Sequence, residues 1–176
     1  GTATDAQASL KVVLSLIAHE AEWTRIPLKL NGSIVVGSQL DGGGQHFLEY
    51  DEEQKSFFAW LRPSEANTSQ RITIDVLNKV STVRDERRLA LDLPHVVGAR
   101  HAPTMTLRVP VENAAACATS GTQVCTVETR PVGKSTEVKI LQPGGDFSAT
   151  WRSTQATTAK VEPVVFDASG DVIVTW

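Results

Sequence analysis

Cysteine is scarce in this chain of 176 residues, with only two present, Cys117 and Cys125. Two thiols are too few for a structural zinc site, and neither belongs to a CxxC pair. Long hydrophobic runs are missing as well. The longest, "VVLSLIA" at residues 12–18, is seven residues broken by Ser15, far short of the roughly 18 apolar residues that a membrane helix requires. No excess of either charge exists: 17 basic against 20 acidic residues leave a net charge of −3. Such a balance offers no general attraction to phosphate backbones, so no nucleic-acid partner is expected. An initiator Met and a basic, apolar leader are also absent, so the natural chain is expected to continue upstream of Gly1.

What is present is the composition of an ordinary folded domain. Apolar residues make up 41% and charged residues 21%, which separates the chain from disordered sequences. The length favours one domain, 1–176, with one core. From Asp5 to Thr24 the apolar positions Leu10, Val13, Leu14, Ile17 and Ala21 recur at helical spacing, which predicts an N-terminal amphipathic helix over residues 1–24. Val12, Leu16 and Trp23 then fall on a second apolar ridge of that helix. A helix lying on one sheet needs only one such side, so this ridge is the candidate assembly interface.

Pro27 ends the helical pattern. The remainder, 25–176, reads as short strands: "IPLKL", "SIVVG", "HFLEY", "SFFAW", "RITIDVL", "RLALDL", "TMTLRVPV", "QVCTVET", "TEVKIL", "FSATW", "KVEPVVF" and "DVIVTW". Asn31-Gly32 predicts a two-residue hairpin, "DEEQ" a turn, and "DGGGQ" at residues 41–45 a mobile hairpin tip. With no second amphipathic helix to serve as a crossover, the sheets should be mostly antiparallel. The expected fold is α+β, one helix packed on a two-sheet β-sandwich.

No catalytic motif stands out. His19, His46, His95 and His101 have no metal-ligand spacing, and Ser38 lies in no nucleophile elbow. The acidic triplet Asp51–Glu53 lacks the alternating ligands of a calcium loop. No cofactor, no metal and no enzymatic activity are therefore expected. Cys117 and Cys125, eight apart across a turn-forming Ser120-Gly121, are expected to form a disulfide in an exported protein.

The stretch from Glu20 to Leu30 runs Glu-Ala, five residues, then Pro27, Leu28, Lys29, Leu30, and "GQHFLEYDEEQKSFFAW" at 44–60 follows as a hairpin ending at a Trp. In these features the chain resembles the soluble part of type IV pilin-like subunits, above all the minor pseudopilins of the H class in type II secretion systems and FimT-like minor pilins. The resemblance covers Asp5 to Trp60. It implies a non-catalytic minor subunit of a periplasmic pseudopilus or type IV pilus, assembling through its helix with other pilin-like subunits and presenting its β-domain to them or to exported protein cargo. It also implies an inner-membrane anchor, a hydrophobic half-helix upstream of Gly1. The alternative is a secreted or periplasmic β-sandwich that binds a ligand, or inhibits an enzyme, through "DGGGQ" or the disulfide loop.

Overall fold

The structure is a computed structural model that describes residues 1–94 and 102–154. His95, His101 and the expected strands "KVEPVVF" and "DVIVTW" lie outside the described residues.

The described chain is all β. Its strands in order are β1 (Thr2–Ala3), β2 (Gln7–Ala18), β3 (Thr24–Lys29), β4 (Ile34–Asp41), β5 (Gly44–Asp51), β6 (Ser56–Pro63), β7 (Thr68–Val83), β8 (Glu86–Leu93), β9 (Thr104–Val109), β10 (Ala114–Ser120), β11 (Gln123–Val124), β12 (Thr126–Val132), β13 (Ser135–Leu141) and β14 (Gly145–Ser153). Strands hold 72% of the described residues, and no helix is present among them. The expected α+β pilin-like architecture is therefore replaced by an all-β one.

The correction centres on residues 1–24. In place of a helix, β2 pairs antiparallel with β7 over twelve residues, from Gln7 opposite Lys79 to Ala18 opposite Thr68. Its burial alternates with period two: Ala8 and Leu10 are buried and Val12, Leu14 and Leu16 half-buried on one face, while Ser9, Lys11, Val13, Ser15 and Ile17 are exposed on the other. "LKVVLSLIA" is apolar at so many positions that it satisfies helical and strand spacing at once. A long cross-strand ladder decides between them, because β-branched Val12, Val13 and Ile17 suit a pleated surface, and each β2 residue faces a partner on β7.

Two sheets result. The large mixed one has the order β11-β10-β14-β8-β7-β2-β1-β9-β13-β12, with β4 on β7, and the small one is β3-β6-β5. Among the described residues all ladders are antiparallel except the parallel contact of β1 with β9, Thr2 opposite Arg108. The sixteen-residue β7 joins the parts of the large sheet, pairing with β2 and β4 along its length and with β8 through Val80–Val83. One core cluster unites both sheets: Leu28 and Ala59 from the small sheet pack with Ile72, Ile74 and Val76 of β7, Leu107 of β9, Ile140 of β13, and Phe147 and Trp151 of β14.

Asn31-Gly32 does turn the chain, closed by Ser33 N–H donating to Leu30 O at 3.1 Å. It makes no hairpin, because β3 pairs with β6 and β4 with β7. The turn instead carries the chain from one sheet to the other. "DGGGQ" is likewise a crossing between sheets. Gly42 O accepts from the buried Gln70 Nε2 at 3.3 Å, and Gly44 has φ +116°, where an added Cβ would lie 2.3 Å from Arg62 O. At Gly32 φ is +77° with open space around it. Gly44→Ala is therefore expected to destabilise by about 2–3 kcal/mol in urea unfolding and Gly32→Ala by about 1 kcal/mol, since only the first adds a backbone clash to the dihedral strain.

Candidate functional site

Cys117 and Cys125 do not meet: the structure holds both as free thiols in place of the expected bridge, Cys117 exposed and Cys125 buried. The cause is register. Cys125 N–H donates to Ala118 O at 2.9 Å, setting Cys125 opposite Ala118. Ala118 is buried, and alternation turns its neighbour Cys117 to the other face. Burial pushes the Cys125 thiol up from its ordinary pKa.

The three candidate interface residues do not form a ridge. Val12 and Leu16 lie half-buried on the inward face of β2, Val12 against the core. Trp23 sits just before β3, 40% exposed, with its ring 5.4 Å from that of Phe47. The structure also brings Ser38 Oγ within 3.0 Å of His46 Nε2. No carboxylate pairs with His46 among the described residues, and none of these residues form a group of His, Cys, Asp or Glu suited to a metal.

The most developed surface is the outer face of the small sheet. Its register sets Phe47 opposite Trp60, Glu49 opposite Phe58 and Asp51 opposite Ser56, with Arg25 opposite Trp60 on the other side. Alternation therefore turns Arg25, Gln45, Phe47, Glu49, Asp51, Phe58, Trp60 and Arg62 to one side, while Ile26, Leu28, Leu48 and Ala59 go to the core. Phe58 is 7% exposed although it faces outward. The Arg25 guanidinium covers it, 3.6 Å above the ring centroid, a cation–π contact.

Carboxylates hold that guanidinium in place. Arg25 Nη2 donates to Asp51 Oδ2 at 2.8 Å and Arg25 Nε to Glu49 Oε2 at 3.3 Å, and Trp60 Nε1 donates to the same Glu49 oxygen at 2.5 Å. Asp51 Oδ1 further accepts the backbone N–H groups of Gln54 and Glu53. The Gln54 N–H and then Arg25 hold the Asp51 carboxyl below its usual pKa, and Asp51 raises that of Arg25. A depressed carboxylate pKa contributes stability that is fully present above the unfolded value, near 4, and is lost as pH falls through the folded one. Asp51→Asn is therefore expected to flatten the fall in Tm below about pH 4 and to leave its slope near pH 7 unchanged.

Above this network lie the rings. Phe47 is 49% exposed and stacks on Trp60 at 5.9 Å, with Trp23 tilted against it. Sequence reasoning found Trp23 but missed Arg25, Phe47, Glu49, Asp51 and Trp60. The signal was available: a turn at "DEEQK" fixes a hairpin register that places Phe47 beside Trp60 and Glu49 beside Phe58.

Comparison with known proteins yields no matching family model and no matching curated protein.

Proposed function

We propose that the chain is a non-catalytic binding module that recognises its ligand through the outer face of the small sheet. One observation supports this above the rest. Trp23, Phe47 and Trp60 are gathered on a solvent-facing sheet surface and braced by an Arg25–Glu49–Asp51 network with Phe58 beneath the guanidinium. Exposed aromatics clustered on a preorganised support are a recognition surface in physical terms, since their large area is desolvated on binding at little cost in side-chain entropy. The alternative of recognition through loops thus becomes recognition through a sheet face. Assembly through an N-terminal helix is not part of this reading, because the residues assigned to that helix form β2.

Hydroxyl-radical footprinting tests it. With cell extract of the source organism added, protection is expected at Trp23, Phe47 and Trp60. Protection centred on Ile34 and Val36, the exposed apolar side chains of β4, would move the recognition surface to the edge of the large sheet.

A further inference from the structure

Resting on that reading, we propose that the aromatic face binds a neutral glycan, with a sugar ring packed against the tilted Phe47–Trp23 pair and its hydroxyls met by Gln45 and Arg62. A pyranose has one face of apolar C–H groups and a rim of hydroxyls, and it matches an aromatic surface flanked by polar side chains. Gln45 and Arg62 pair directly across β5 and β6, one step along the face from the Phe47–Trp60 pair. Both are exposed, and neither side chain has a hydrogen-bond or ion-pair partner among the described residues. Their amide and guanidinium N–H groups are thus free to donate to hydroxyl oxygens.

Charge narrows the ligand further. Arg25 and Arg62 balance Glu49 and Asp51 on this face, and Arg25 is already paired with both carboxylates. An uncharged ligand complements a face whose charges cancel. A Pro-rich peptide, the other ligand that docks on aromatic surfaces, would draw on the same Gln45 and Arg62 donors for its carbonyls, so it is the competing outcome of the test.

The experiment is affinity electrophoresis of the whole chain through gels containing xylan, mixed-linkage β-glucan, galactomannan or dextran, with a fluorescence titration of a Pro-rich peptide alongside. Retardation is expected in at least one gel and should weaken about tenfold or more in Phe47→Ala, as loss of a stacked ring implies. Phe47 is half-exposed, so this variant should stay folded with only a small fall in Tm from the lost ring contacts; Arg62→Ala, which removes only a surface side chain, is a second probe that should weaken retardation without unfolding. Retardation that persists in both variants would overturn the siting. Absence of retardation in every gel would overturn the glycan proposal, and so would binding of the peptide alone. Footprint protection of Trp23 and Phe47 by extract would in either of these cases leave the recognition face standing, whereas loss of that protection as well would remove both.

Discussion

Leu10→Lys is expected to destabilise the protein by several kcal/mol, enough to unfold much of it at room temperature, while Ile17→Lys leaves stability within about 0.5 kcal/mol of the parent. Leu10 is 3% exposed and faces Val76 across the β2–β7 ladder, whereas Ile17 is 50% exposed and faces Ser69. A helix would place Leu10 and Ile17 seven residues apart on the same face, so both changes would then be equally damaging. Urea unfolding of the two variants decides between these geometries. Equal destabilisation would contradict the strand, and the expected contrast is one that only period-two alternation produces.

Trp151→Ala is expected to cost about 3–5 kcal/mol, because Trp151 is the largest fully buried side chain among the described residues, and its removal leaves a cavity where β14 meets the rest of the core. Trp151→Phe should cost less than about 1.5 kcal/mol. The indole Nε1 is buried and has no hydrogen-bond partner among the described residues, so replacing it with an apolar ring removes an uncompensated polar group along with some volume. The check is the shift of the urea midpoint at unchanged slope. A Phe variant as unstable as the Ala variant would mean that the indole N–H is bonded after all.

The stretches after Pro27 show how much of the fold could be read in advance. "HFLEY", "SFFAW", "RITIDVL", "RLALDL", "TEVKIL" and "FSATW" all lie within strands, because they are short runs rich in β-branched, aromatic or alternating apolar residues and the segments between them contain Gly, Asp or Asn. The β5–β6 hairpin was legible down to its turn, which spans residues 52–55. "QVCTVET" was read as one strand but divides at Cys125 into β11 and β12.

Partner choice was less accessible. The turn at Asn31-Gly32 has the chemistry of a hairpin, yet β3 and β4 separate into different sheets. Turn residues permit a reversal of direction and leave open which strands pair, since pairing is settled by the hydrophobic faces that the whole chain can bury. Leu28 and Leu30, both fully buried, draw this segment into the common core beside β8, where Leu30 N–H donates to Asp92 O at 2.8 Å.

By itself, then, the amino-acid order determined that this chain folds around a sizeable core, that it turns where Gly, Asn and Asp stand, and that its middle is built of alternating strands. These are local properties, set by composition and by a period of two along each segment. The identity of residues 7–18 was decided only in three dimensions, because a nearly continuous apolar run suits a helix or a strand until β7 offers twelve partners. The recognition face was decided there too. Arg25 is separated by more than twenty positions from Glu49 and Asp51, and only the pairing of β3 and β5 with the central β6 brings the guanidinium over Phe58 and between its carboxylates. The two thiols were separated by the same cause, a single-residue offset in register that alternation converts into opposite faces.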